Sequence, residues 1–329
     1  MTAATVFATC GCGGHASSSS PPRPPGLRGA ADGKLVLLFS QGGTDQISDG
    51  YGELFVMQLN GRHLRRLTFS PWDESHPSWS PDGRRIAYVS DRGGTGDADD
   101  EIWVMNADGT HPRRLTHNKV WDRTPAWSPD GKWIAFTRGG AARQVGDTVY
   151  AGCMSDPGWQ LELMRPDGTH IHTIGPGSYP AWSPDGRLIA YSRNRSLWIS
   201  RPDGSHARQI TYGSTASDPS WSPDGRRIAF AGGSGCGGLD DNIYVVNADG
   251  RDLRQLTKGV FSIGPPRQPA ENGTPSWSPD GRWIMFHSSR ASDPLTDLWI
   301  MRPNGSHPKR VTFADDAVSF DPAAWRPTH

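Results

Sequence analysis

The chain has 329 residues, among them 40 glycines, 28 prolines and 14 tryptophans, and only 35% of it is hydrophobic. Its 34 basic residues balance 34 acidic ones, which removes any general attraction for nucleic acid or for an anionic membrane. No apolar run approaches the roughly 20 residues that span a bilayer, so no membrane-spanning helix is expected and the glycine and proline punctuation points to many short strands.

Residues 1–31 differ in kind from the rest. Cys10-Gly-Cys12 is followed by the run Ser17 to Ser20 and then by Pro21-Pro-Arg-Pro-Pro25, the composition of a disordered leader or tether. A tether after an early cysteine leaves open the remnant of an export or lipoprotein signal, hence a lipid anchor, although Met1 to Thr9 is short for such a signal and lacks its basic start. An extracytoplasmic protein of the periplasm or cell envelope is the expectation, with a cytoplasmic location as the alternative.

From residue 32 the chain repeats. Pro-x-Trp-Ser-Pro-Asp-Gly, then a basic residue and an apolar strand, recurs at Pro77–Tyr88, Pro125–Phe136, Pro180–Tyr191, Pro219–Phe230 and Pro275–Phe286. The motif tryptophans Trp79, Trp127, Trp182, Trp221, Trp277 and a diverged Trp325 are spaced by 48, 55, 39, 56 and 48 residues, close to one four-stranded propeller blade each. Within a unit the Ser-Pro-Asp-Gly turn joins two antiparallel strands. A third strand such as Glu101–Met105 follows, then a second turn, then a fourth strand such as Arg113–Thr116. The second turns end at Gly61, Gly109, Gly168, Gly204, Gly250 and Gly305, one per tryptophan.

The two ends complement each other. Asp32–Phe39 supplies a second strand with no tryptophan before it, and Asp321–Trp325 supplies a first strand with nothing after it. The predicted architecture is therefore all-β: a six-bladed propeller over 32–326, closed by joining the N- and C-terminal strands in one blade, with a tail at 327–329. Closure leaves no sheet edge between the first and last blades, and a monomer is expected.

These repeats resemble the Pro-Asp-Gly, WD-like repeats of the TolB-like propellers, and the resemblance runs from Asp32 to Trp325. It implies a binding role in the bacterial cell envelope. The Tol role itself is not carried over, because TolB has an α/β domain before its propeller and here only a short tail precedes the first strand. The same repeat also occurs in peptidase-linked propellers and in some polysaccharide lyases, so the motif speaks for fold more than for function.

Strand alternation puts the Asp-Gly turns on one face and the variable loops on the other, among them 91–101, 138–160, 232–242, 258–275 and 288–297. The loop face is rich in acidic residues and the turn face in basic ones. Loops of varied sequence on a rigid scaffold are where binding resides, so a protein partner or small ligand is expected at the acidic mouth of the channel. The residues nearest the entrance are Asp73, Glu74, His76, Asp122, Arg123, Asp218, Glu271 and Asp321. The basic turn face reads as solubility, with Arg65-Arg66 and Arg113-Arg114 protecting outer strand edges.

The remaining chemical motifs are weaker. The motif tryptophans read as inter-blade core, whereas Trp72, Trp121, Trp159 and Tyr212 stand on loops and are candidates for ligand contact. His63, His111, His170, His206 and His307 fall once per blade, too far apart to share a metal ion. Asp97 to Glu101 clusters carboxylates without the ligand spacing of an EF-hand, so no cofactor is expected and calcium stays open. Cys153 and Cys236 lie on the same face and either form a disulfide or remain thiols. No Gly-x-Ser-x-Gly elbow and no Asp box are present, which disfavours peptidase and sialidase chemistry. A binding protein without catalytic residues is the principal reading, and a lyase-type enzyme that degrades polysaccharide, using residues such as His76, His117 and Arg123, is the alternative.

Overall fold

A computed structural model describes residues 36–43, 52–58, 63, 65–93, 100–139, 143–145, 148–150, 158–213, 215–233, 241–257, 270–290, 297–311 and 318–327. The described residues contain no helix. In chain order, β1 (Val36–Gly43), β2 (Glu53–Gln58) and β3 (Arg65–Arg66) are followed by sheet one, made of β4 (Glu74–Trp79), β5 (Arg85–Ser90), β6 (Glu101–Asn106) and β7 (Arg113–Arg114). Sheet two comprises β8 (Trp121–Trp127), β9 (Ile134–Gly139), β12 (Gln160–Met164) and β13 (His172–Pro176), with the ribbon β10 (Arg143–Val145) and β11 (Thr148–Tyr150) inserted. Sheet three is β14 (Ser178–Trp182), β15 (Ile189–Arg193), β16 (Ser196–Ser200) and β17 (Arg208–Gln209). Sheet four is β18 (Ser217–Trp221), β19 (Arg227–Gly232), β20 (Asn242–Asn247) and β21 (Arg254–Gln255). Sheet five is β22 (Asn272–Trp277), β23 (Ile284–Ser288), β24 (Asp297–Met301) and β25 (Lys309–Arg310). The last strand, β26 (Val318–Trp325), pairs with β1 in a further sheet ordered β26-β1-β2-β3, with Leu37 opposite Trp325 and Gly43 opposite Val318. The all-β propeller expected from the repeats is what the chain forms.

Each sheet packs through its motif tryptophan onto the sheet before it. Trp127 sits with Ala87, Val89 and Ile102 of sheet one, and Trp277 with Ala229, Ile243 and Val245 of sheet four. Trp79, Trp127, Trp221, Trp277 and Trp325 are all less than a tenth exposed, and burying rings of this size dominates the energetics of the seams. Backbone bonds stitch the same seams. Glu74 N–H donates to the Gly52 carbonyl at 2.8 Å, Asp122 N–H to Asp100 at 2.8 Å, and Gly177 N–H to Trp159 at 3.0 Å.

The basic outer strands also belong to the seams. Arg65 donates to the Ala107 and Asp108 carbonyls of the next sheet's second turn, Arg113 to those of Pro166 and Asp167, and Arg208 to that of Ala248. Their neighbours turn inward instead. Arg66 pairs with Glu53, and Arg114 with Glu101 at 2.6 Å. Edge protection alone does not account for these arginines: they fasten one sheet to the next and pin the third strand to the fourth. The second-turn glycine completes the contact, since at Gly109 (φ +86°) a Cβ would lie 2.5 Å from the Leu67 carbonyl oxygen of the preceding sheet.

Candidate functional site

The innermost strands share one irregularity. Two residues of the inner strand oppose one residue of its neighbour in each of sheets one to five: 76–77 face Tyr88, 124–125 face Phe136, 179–180 face Tyr191, 218–219 face Phe230, and 274–275 face Phe286. Each is a β-bulge whose second residue is the motif proline, which has no N–H to offer the ladder. The residue before that proline takes a left-handed backbone: His76 (φ 47°), Thr124 (50°), Tyr179 (53°), Asp218 (50°) and Thr274 (45°). Such a conformation costs a non-glycine residue roughly 1–2 kcal/mol. Its consequence is a single level of side chains around the axis. These residues, with the prolines behind them, line a cavity of about 190 Å³.

Both threonines at this level are tied into their own sheets, and His76 Nδ1 lies 3.0 Å from Ser75 Oγ of its own strand. Thr124 Oγ1 lies 2.8 Å from Thr137 Oγ1, and Thr274 Oγ1 lies 2.9 Å from His287 Nδ1. Tyr179 is anchored by its N–H to Thr137 Oγ1 at 3.0 Å and packs against Trp121 and Trp159, which stack with centroids 6.0 Å apart. Burial, and then the nearby Asp218 carboxylate, push its hydroxyl far above the usual tyrosine range, so it remains a protonated donor at any physiological pH. Asp218, His76 and Tyr179 therefore give the cavity an acceptor, an imidazole and a donor.

The structure sorts the residues expected at the channel entrance. Only His76 and Asp218 line the cavity. Asp122 is wholly buried between sheets, gripped by Arg138 through Nε and Nη2 at 2.8 Å each and by Asn118 Nδ2 at 2.7 Å. Glu74 is 3% exposed at the same repeat position in sheet one, but its register partner is Ser90 where Asp122 faces Arg138. Ser70 donates to Glu74 Oε1 at 2.5 Å, Thr68 is committed to Glu53, and Oε2 has no partner among the described residues. Burial and the adjacent Glu53 and Asp73 raise its carboxyl to about 7, against the hydrogen bond from Ser70. Arg123 pairs with Asp100 at 2.5 Å and lies over Trp121, 4.5 Å from its centroid. Asp73 is exposed and accepts the Gly52 N–H at 2.7 Å, and Glu271 Oε1 lies 3.9 Å from His287 Nε2. Asp321 pairs in register with Ser40, one position before the cavity level, because its proline stands three residues before Trp325 rather than two.

Of the loop aromatics, Trp121 and Trp159 are buried in their stack, whereas Tyr212 is 74% exposed. Glu101 and Asp297 are wholly buried and paired with Arg114 and Arg310, each at 2.6 Å, so part of the acidic character of the loop face is neutralised within the sheets. Cys153, Cys236 and Asp97 to Asp99 lie outside the described residues. Among the described residues no group of three metal-ligating side chains converges, and no helix is long and apolar enough to cross a membrane. Thr124, Tyr179 and Thr274 are missed by a search for charge. The available signal was variation: the residue before the motif proline is His, Thr, Tyr, Asp and Thr in turn, while the Trp-Ser-Pro-Asp-Gly that follows stays constant.

Comparison with known proteins agrees with this geometry. The sequence profile described as the TolB beta propeller domain matches residues 145–327. TolB from Acinetobacter baumannii superposes with a TM-score of 0.69 at 18% identity, covering 91% of this chain and 68% of that one. A candidate TolB from Agrobacterium tumefaciens gives 0.61 at 17% identity, covering 90% of this chain and 100% of the other. An uncharacterised protein of Agrobacterium fabrum is 35% identical over 79 residues, which is 23% of each chain, so the match spans less than a quarter of that relative.

Proposed function

Because the chain belongs to the TolB β-propeller family, we propose that it is a non-catalytic binding protein of the bacterial cell envelope, a ring of six blades whose partner docks over the channel mouth. The observation that carries this reading is the cavity level itself: five inner strands hold His76, Thr124, Tyr179, Asp218 and Thr274 at one height on an otherwise constant scaffold. Side chains that vary at a position the backbone holds under strain serve recognition rather than packing.

Size selects the kind of partner. The cavity is about 190 Å³, smaller than the roughly 300–1,000 Å³ of sites that enclose a drug-sized ligand. It suits one side chain of a docked protein, and the acceptor Asp218 beside the donor Tyr179 favours an inserted cationic or hydroxyl-bearing group. Asp73, Arg123 and Glu271, near the loop ends of the inner strands, contact the rest of the partner in this reading. Glu74 and Asp122 support the site from within the sheets.

The test is crosslinked capture from envelope extracts with the intact protein and with the variants Asp218→Asn and His76→Ala. The same partner recovered by the parent and reduced at least tenfold by either substitution supports the reading. Unchanged capture removes the channel as the site. Accumulation of an unsaturated product from an acidic polysaccharide would replace the binding reading with the lyase one.

A further inference from the structure

On the opposite, turn-bearing side, a groove of about 450 Å³ runs between the outer strand of sheet one and the second turn of sheet two. Arg85, Arg113, Lys132, Arg165 and His170 line it, with Asp167 as the one carboxylate among its described lining residues. The arginines are oriented by groups that leave their charge uncancelled. Arg85 lies over the Trp127 ring at 4.8 Å and Arg165 over Trp133 at 4.0 Å, while Arg113 donates to the Asp167 and Pro166 carbonyls at 2.9 and 3.1 Å. Lys132 Nζ is 3.4 Å from Asp130, but both side chains are more than half exposed, and such pairs neutralise little. The Asp167 carboxylate is occupied within its own turn, accepting the Thr169 N–H at 2.9 Å and hydroxyl at 2.7 Å.

The basic positions recur at the seam between sheets four and five, where Arg227 and Arg302 lie over Trp277 and Trp283 at 4.8 and 4.1 Å. The corresponding groove between sheets four and five offers Arg227 and Arg254 against Asp252, with neutral residues for the remainder. The repeat therefore supplies the basic side chains at both seams, and of these two grooves the one between sheets one and two has the larger excess of cations in its lining.

We propose that the groove between sheets one and two binds a phosphoryl group, held chiefly by Arg113, Lys132 and Arg165. A phosphate monoester carries close to two negative charges and three acceptor oxygens near neutral pH, which matches several fixed cations better than a single carboxylate does. A guanidinium offers more N–H donors than the two carbonyls at Arg113 occupy, and its planar fork suits phosphate oxygens. Because the aromatic rings and carbonyls already hold these side chains, little ordering entropy is lost on binding. This site is independent of the channel mouth and lies on the other face.

The intact protein would be titrated calorimetrically at low ionic strength with glycerol 3-phosphate, with acetate as the control anion, and in parallel with phosphatidylcholine vesicles with and without phosphatidic acid. Saturable binding of glycerol 3-phosphate, absent for acetate and weakened about tenfold in Lys132→Gln and in Arg113→Gln, is the expected result. Vesicle binding that depends on phosphatidic acid and on the same residues assigns the phosphoryl group to a lipid headgroup. Lys132 is 68% exposed, so its variant keeps the fold even if the Arg113 variant loosens the seam. Binding that is equal for acetate, unaffected by Lys132→Gln, or absent for both phosphoryl probes overturns the proposal.

Discussion

Arg326 donates through Nη2 to the Gly83 carbonyl oxygen at 3.0 Å across 243 residues of sequence, and its guanidinium lies 5.3 Å from the centroid of Trp79. It stands in for a missing part. Around the ring the Ser-Pro-Asp-Gly turns nest on one another, as where the Gly131 position meets Pro81 of the preceding sheet, and the Gly83 position meets Arg326 instead. Arg85 and Arg227 likewise cover Trp127 and Trp277 of the next sheet, whereas the β26–β1 sheet has Val36 at that register position. A residue at the end of the chain thus completes a contact that elsewhere comes from the middle of a repeat.

Arg326→Ala is expected to destabilise the protein by about 1–2 kcal/mol, from loss of the ring contact and of a charge-assisted hydrogen bond. Trp325→Ala should cost more, about 3–5 kcal/mol, because it empties the β26 seam and removes the indole bond to the Ser276 carbonyl at 2.9 Å. Urea denaturation of both variants checks the order. An equal or reversed ranking would show that the terminal strand contributes little to closing the sheet.

The Asp122–Arg138 pair is buried on its acidic side and bidentate, so breaking it is expensive. Asp122→Asn and Arg138→Met should each lose about 3–5 kcal/mol, since each strands the other group between sheets. The double variant should lose clearly less than the sum. A double-mutant cycle by chemical denaturation measures this coupling, and strict additivity would contradict the described geometry.

Glu74 predicts the pH dependence. Its carboxyl is raised from 4.5 to about 7 on folding, so between these values the folded chain binds more protons than the unfolded one. Stability therefore falls as the pH rises through that window, by up to about 3 kcal/mol from this group. Glu74→Gln should abolish the fall, leaving unfolding midpoints at pH 5 and pH 8 closer together than in the parent. If the variant keeps the full pH dependence, the titrating group is elsewhere.

Gly109 and Gly213 have nearly the same backbone, at φ +86° and +84°, but only Gly109 faces a carbonyl oxygen of the preceding sheet. Alanine at Gly213 should cost about 1 kcal/mol, from backbone strain alone. Gly109→Ala should cost at least twice that, because the Leu67 carbonyl 2.5 Å from the added Cβ belongs to a packed seam. Thermal unfolding of the two variants separates conformational strain from steric conflict.

Much of the architecture is legible along the chain because each repeat carries its own local instructions. Proline and glycine at fixed turn positions, β-branched and aromatic strands, and one tryptophan per unit define the strands without reference to distant residues. The candidate site was less legible. Glu74, Asp122 and Asp218 are all acidic residues near the start of an inner strand, yet one is buried with an oxygen that has no partner among the described residues, one is locked to Arg138, and one lines the cavity. Those different fates follow from which residue lies across the ladder, Ser90 for Glu74 and Arg138 for Asp122, and from a bulge that turns Asp218 toward the axis.

The sequence alone determined the repeat, the strand and turn order, the tryptophan seams and the family, since all of these depend on short-range patterns that recur. Only the tertiary structure decided which charges face one another. It showed that the outer-strand arginines fasten neighbouring sheets, that Arg326 completes the contact at Gly83, and that the residue before each motif proline is raised to a common level around the axis. The physical reason is that hydrogen bonds and ion pairs act over a few ångströms in space, between residues that the chain separates by tens or hundreds of positions.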